Sequence, residues 1–302
     1  MRAEPLMLEA QAPASLQTII KDIYELTKPR IAYTVLITTF AGMWLANGGP
    51  PALALLLWTM LGVGLASGSS GAFNNYIDRF IDRDMARTQN RPLPTGRLAP
   101  RTALIVGTVL GLTSLAILLA AVNPLTAWLT LFTNFYYVVI YTLWLKRHSP
   151  LCTSLGGVAG ALPAVLGVTA VSNSITLVAV ALFAIMYIWQ PPHFWALALI
   201  KTEEYRRVGI PMLPVVKGEW VTKRQMLIYN VLLVPASLSL FWLGATGWIY
   251  FAAALILGLV YLGMTIDFVR QEVTRPRAYR LFFFSLIYLC TLFVMMFVNA
   301  VS

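Results

Sequence analysis

The chain has 302 residues, of which 59% are hydrophobic and 11% charged; its formal net charge is +10 and its mean hydropathy +0.74. A soluble domain carries roughly 25% charged and 45–50% apolar residues. These values exclude a soluble enzyme, a disordered chain and a collagen-like or disulfide-stapled one, and leave a polytopic membrane protein.

At the amino terminus, Arg2 is followed by Glu4 and Glu9 rather than by an apolar run, which does not read as a signal peptide. Residues 15–26 place Leu16, Ile19, Ile20 and Ile23 at helical spacing, with Lys21, Asp22 and Glu25 elsewhere. This predicts either a helix lying on the cytoplasmic interface or a plain tail. Beyond it, Lys and Arg fall in clusters, and residues 31–78, 102–145, 148–200, 225–269 and 281–302 contain neither. One span takes about 20 apolar residues. The four long stretches therefore hold two helices each and the tail holds one. The class predicted is all-α, a polytopic bundle of nine transmembrane helices. The spans are expected near 31–45, 52–77, 102–122, 125–145, 151–171, 175–200, 226–243, 249–266 and 281–298. Every basic cluster then lies on one side. By the positive-inside bias the amino terminus is cytoplasmic and the carboxyl terminus outside, in a bacterial plasma membrane or, second, an organelle's inner membrane. Residues 1–30 form a cytoplasmic segment and 31–300 a single membrane domain. The net positive charge suits anionic membrane lipid; with no soluble domain expected, nucleic acid is not an expected partner. Cys152 and Cys290 read as two lone buried thiols, small apolar fillers rather than a disulfide framework.

Polar residues end the second span: Asn74, Asp78 and Asp82 recur every four residues and so share one helix face. Two carboxylates and an amide oxygen suit Mg2+, which keeps waters and completes its shell with substrate phosphate. The competing expectation is that Asp78 and Asp82 pair with Arg79 and Arg83 at the interface. Asp84 points to another face. Arg87, Arg91 and Arg97 follow in the loop and together suggest a bound diphosphate. Lys146-Arg147-His148 is the next short basic loop, and Gly156, Gly157 and Gly160 beyond it permit close helix packing.

A second polar segment ends the sixth span: Trp189-Gln190-Pro191-Pro192-His193-Phe194-Trp195, then Lys201, Glu203, Glu204 and Tyr205. The double proline should kink the helix and free carbonyls toward a cavity. His193 is either a satisfied core residue or part of the site. Tyr187, Trp189, Phe194 and Trp195 are either an interfacial belt or ring faces for a cation. The recurrence of a polar helix end followed by basic residues and spaced prolines hints at internal duplication. A metal, a cationic rim and an apolar chamber would together suit intramembrane prenyl transfer.

Asn74-x-x-x-Asp78-x-x-x-Asp82-x-x-Met85-x-Arg87-Thr88-x-x-Arg91-Pro92, Lys28-Pro29-Arg30, Leu145-Lys146-Arg147, Trp189-Gln190-x-Pro192-His193-Phe194 and Gly209-x-Pro211-Met212-Leu213-Pro214 resemble the UbiA-type intramembrane prenyltransferases, and among them the protohaem IX farnesyltransferase branch. The resemblance covers residues 20–300. It implies nine transmembrane helices around a central cavity, with farnesyl diphosphate and haem B as substrates and Mg2+ required. The farnesyl group adds to a haem vinyl group and water completes haem O. It implies that Asn74, Asp78 and Asp82 hold Mg2+ and diphosphate, and that Arg87, Arg91, Lys146, Arg147 and Lys201 contact phosphate oxygens. Trp189, Glu204 and Tyr205 join the substrate-binding set, and His193 serves the haem as iron ligand or proton-handling group. A haem A synthase or a terminal oxidase assembly would be the partner receiving the product. Two positions depart from the pattern: Glu204 stands where the branch has Asp, and Cys152 where it has Asn. A prenyltransferase acting on an aromatic quinone precursor would show a second Asp pair near residue 203. A transporter lined by Asp78, Asp82 and His193 would place them at the midplane.

Overall fold

The computed structural model describes residues 15–301; the expectation resting on Arg2, Glu4 and Glu9 lies outside them. Helices account for nearly all of the described chain. They are α1 (Leu16–Leu26), α2 (Pro29–Asn47), α3 (Leu53–Asp84), α4 (Pro100–Ala121), α5 (Pro124–His148) and α6 (Cys152–Ser172), then α7 (Leu177–Ile200), α8 (Thr202–Arg207), α9 (Leu213–Trp242), α10 (Trp248–Arg270) and α11 (Arg275–Val298). Among the described residues, eight are long and apolar enough to cross a membrane: α3 to α7 and α9 to α11. The ninth expected span is α2, 19 residues long and made less apolar by Thr34, Thr38 and Thr39. The Thr38 and Thr39 hydroxyls are buried and donate to the Val35 carbonyl one turn back, so the helix can pass through the bundle without stranded polar groups.

α3 packs along α4, α2 along α6, and α7 against α6, α9 and α11. Glycines set the closest of these approaches. A Cβ on Gly42 would lie 2.1 Å from the Ala164 carbonyl oxygen, and one on Gly167 only 1.9 Å from that of Thr39; α2 and α6 thus touch backbone to backbone. The outer surface is apolar: Ile105, Leu112, Leu177, Trp242, Ile256 and Val298 are all exposed. That is the face a bilayer covers. Cys152 is buried as expected, but Cys290 is exposed on this outer face. Its position on α11 turns toward lipid, which hydropathy does not reveal.

α1 forms as its periodicity predicts, opened by Ser15, whose hydroxyl accepts from the Thr18 amide. Leu26 and Asp22 are buried while Leu16, Ile19, Ile20 and Tyr24 stay exposed. Arg97 pins it by pairing with Asp22 at 3.0 Å and Glu25 at 3.5 Å. Pro191 and Pro192, where a kink is expected, lie inside α7, which stays helical through both. α9 starts thirteen residues before the span expected at 226, and Gly218, at φ 79°, interrupts its helical backbone.

Candidate active site

α3 has 32 residues. At 1.5 Å per residue, Leu53 to Phe73 already cover about 32 Å, the thickness of the hydrocarbon core. Asn74 to Asp84 therefore form a polar extension at the membrane boundary. Asn74, Asp78 and Asp82 share its inner face and are all nearly inaccessible, at 3%, 1% and 3% exposure. Carboxylates at a helix C-terminus oppose the helix dipole, so helix stability does not account for them.

Their cations arrive from elsewhere in the chain. Lys146 Nζ donates to Asp78 Oδ2 at 2.5 Å, and an Arg147 Nη2 lies 3.8 Å from Asp78 Oδ1. Arg91 Nη1 donates to Asp82 Oδ2 at 2.7 Å, and the Thr88 hydroxyl donates to the Asp82 main-chain carbonyl. Arg79 and Arg83 do not pair with these carboxylates: Arg79 lies 4.3 Å over both the Tyr76 and Phe80 rings, and Arg83 over Phe80. Arg97 is also absent from the cluster, being committed to α1. Asp84 is exposed and turned away; only its carbonyl is used, accepting from Arg207 at 3.2 Å.

Sequence reading named the Lys28-Pro29-Arg30 run but assigned Lys28 no role. Its ammonium donates to Asn74 Oδ1, while Asn74 Nδ2 donates to the Thr142 hydroxyl at 3.0 Å. Lys28 is held there by backbone. It adopts a left-handed conformation (φ 54°, ψ 59°), which costs a non-glycine residue about 1–2 kcal/mol. The corner before it rests on α3: Asn75 Nδ2 donates to the Leu26 carbonyl at 2.9 Å, and a Cβ on Gly71 would sit 2.7 Å from the Thr27 carbonyl oxygen. Burial, with Arg91 and Lys146 nearby, pushes the Lys28 ammonium down to about 7.

Residues Tyr136–Leu145 of α5 wind as a π-helix, a form frequent at functional sites. The Thr142 hydroxyl donates five residues back to the Tyr137 carbonyl. The Tyr137 and Tyr141 rings lie against each other at 5.5 Å, tilted by 35°. Gly156 makes room for this, since a Cβ there would meet the Tyr141 ring at 2.3 Å. These two tyrosines were not legible as site residues.

Arg91, Lys146 and Arg147 outnumber Asp78 and Asp82 by one, and Lys28 adds part of a further positive charge. A partly buried excess of positive charge is costly unless an anion offsets it. Asp78 Oδ1 is buried without a hydrogen-bond donor, and Arg91 engages only one oxygen of Asp82. Orphaned carboxylate oxygens inside a cationic rim fit a divalent cation brought in with a polyanion. No cluster of three or more His, Cys, Asp or Glu exists among the described residues, so the protein's own hard donors are two carboxylates and the Asn74 amide.

The remaining expected residues lie at two other places. Arg87 is exposed beside Tyr205, whose half-buried phenol is pushed up by that burial; Glu204 is half-buried and Lys201 ends α7. Glu203 is exposed and pairs with Arg206. Trp189 and His193 face α11: Trp189 Nε1 donates to the Ser285 carbonyl at 2.9 Å, and His193 Nδ1 lies 2.6 Å from the Ser285 hydroxyl. Their recorded partners are on α7 and α11, and none belongs to the Asp78 cluster.

The sequence model of the UbiA prenyltransferase family matches residues 35–287. Two bacterial proteins called Protoheme IX farnesyltransferase are similar to the chain. That of Symbiobacterium thermophilum is 44% identical over 95% of this chain and 97% of its own. That of Aquifex aeolicus is 45% identical over the same shares. Among solved structures, digeranylgeranylglyceryl phosphate synthase aligns with a TM-score of 0.80 at 18% identity, over 93% of this chain and 98% of that one. A UbiA homologue from Archaeoglobus fulgidus bound to DMAPP and Mg2+ aligns at 0.62 and 17%, over 91% and 99%. On these matches, and on helices that repeat the same arrangement, the chain belongs to the UbiA prenyltransferase family.

Proposed function

We propose that the chain transfers the farnesyl group of farnesyl diphosphate to a vinyl group of haem B, with addition of water, giving haem O and diphosphate. The observation that supports the diphosphate end is the buried Asp78, its free oxygen and the surplus of cations around it. The haem acceptor rests on relatives of 44–45% identity that carry the name Protoheme IX farnesyltransferase.

In this reading Asp78 and Asp82 hold Mg2+, with Asn74 as the third donor once Lys28 releases its oxygen for a phosphate. Held by these residues, Mg2+ would supply positive charge to offset that developing on a diphosphate leaving group. Arg91, Lys146, Arg147 and Lys28 hold the phosphate oxygens by charge-assisted hydrogen bonds. Arg87 and Lys201 approach them from the rim with Tyr205 and Glu204. The ring faces of Tyr137 and Tyr141 favour the allylic cation by roughly 0.5–2 kcal/mol each where water is excluded. Residues 31–300 act as one domain. The basic helix ends face the cytoplasm of a bacterial plasma membrane, the carboxyl terminus lies outside, and the product passes to a haem A synthase or an oxidase assembly.

The test is to incubate the purified chain with haem B, farnesyl diphosphate and Mg2+ and to weigh the haem by mass spectrometry. A mass gain of one farnesyl group plus water is expected. Farnesylation of an aromatic quinone precursor with haem left unchanged would refute the acceptor.

A further inference from the structure

His193 is 7% exposed and clamped. The Trp189 ring stacks on one side at 4.5 Å and 21°, and the Phe282 ring at 4.4 Å and 25°. The Phe194 ring makes a T-shaped contact with the imidazole at 5.1 Å and 72°, so that part of its edge is left. At that edge Nδ1 meets the Ser285 hydroxyl at 2.6 Å. A hydroxyl has one proton, and Ser285 donates its own to the Phe282 carbonyl at 2.5 Å. Toward His193 the serine oxygen can then only accept, so Nδ1 carries the imidazole's proton and Nε2 carries a lone pair.

Nε2 makes no hydrogen bond to any described residue, nor is it among the sealed polar atoms without a partner, unlike Trp195 Nε1 and Tyr261 Oη. The residue's remaining exposure therefore reaches this nitrogen. A histidine that merely fills the core has no use for such asymmetry, with one nitrogen fixed and the other open. Trp189 strengthens the arrangement, because the indole that stacks on the ring also anchors the Ser285 carbonyl. A hydrogen-bonded Nδ1–H paired with an open Nε2 is how a metal-ligating imidazole is oriented.

We propose that Ser285 is a positioning residue that holds His193 in the Nδ1–H form, so that Nε2 ligates the iron of the acceptor haem. This rests on the reading that haem is the acceptor. It assigns the acceptor to α7 and α11, and leaves the diphosphate to α3 and α5.

The test uses the purified full chain with ferric and ferrous haem B and no farnesyl diphosphate. The wild type is expected to show an axial-histidine Soret band and, in the ferrous form, an iron–histidine stretch by resonance Raman. His193→Ala should lose both, and added imidazole should restore them. Ser285→Ala should keep the ligand but lower the stretching frequency and weaken haem binding roughly 10-fold. Ser285→Thr, which retains the hydroxyl, should recover both. An unchanged spectrum in His193→Ala would overturn ligation, and an unchanged stretch in Ser285→Ala would overturn the role of the serine. The two readings fail separately. A His193→Ala protein with wild-type spectrum that still farnesylates haem overturns the ligation alone. A wild type that ligates haem through His193 yet makes no farnesylated haem overturns the acceptor reading.

Discussion

The two polar helix ends, at α3 and after α7, look alike in sequence and differ in environment. After α3 the carboxylates are buried: Asp78 pairs with Lys146, 68 residues on, Asp82 pairs with Arg91 from the following loop, and Lys28 reaches Asn74 beside them. After α7, Glu203 is exposed and paired with a neighbour three residues away, while Glu204 is half-buried. An exposed pair of this kind contributes little. A buried carboxylate with a free oxygen is maintained at a cost and points to a ligand. Of the polar residues buried near the second end, Trp189 and His193 stack on one another and turn to α11, while Gln190 donates to the Gly157 carbonyl on α6. The first end holds buried charge; the second buries stacked rings and their hydrogen bonds.

Four substitutions probe this difference. Asp78→Asn should reduce farnesylation by roughly 100-fold or more, the scale for losing one electrostatic contact to a developing charge. Haem product per minute is measured, with insertion confirmed by membrane fractionation. Activity within a few-fold of wild type would erase the contrast between the ends. Lys28→Met should raise the KM for farnesyl diphosphate about 10-fold or more, since a charge-assisted hydrogen bond contributes about 1.5–3 kcal/mol. The KM for haem should not move. Gly71→Ala should do the same more weakly, about 5-fold, because the added methyl presses on the Thr27 carbonyl and shifts the Lys28 corner. Overpacking of this kind costs about 1–3 kcal/mol, so its thermal midpoint should also fall. Glu203→Gln should change turnover less than about 2-fold, as surface pairs do; a large loss there would mean that the second end also binds the diphosphate.

Local pattern carried much of this. Gaps between Lys and Arg located the membrane helices, and four-residue spacing placed Asn74, Asp78 and Asp82 on one face. Long-range pairing was not legible. Lys28 reaches Asn74 only because Gly71 and Asn75 seat the α1–α2 corner on α3 and because Lys28 takes a left-handed turn. The competing expectation paired Asp78 with its neighbour Arg79, but that guanidinium lies over Tyr76 and Phe80, and Lys146 supplies the charge. Ser285 sits in an apolar run on α11, 92 residues from its histidine, and nothing local marks it. Tyr137 and Tyr141 lie on the stretch of α5 that winds as a π-helix, where regular helical spacing does not predict which residues share a face.

The most direct test titrates the purified protein with inorganic pyrophosphate by calorimetry, with and without Mg2+. Wild type should bind it, tightened strongly by Mg2+, and Asp78→Asn should lose the Mg2+-dependent part. Equal binding by both proteins, or binding indifferent to Mg2+, would contradict a metal-assisted diphosphate site at the end of α3.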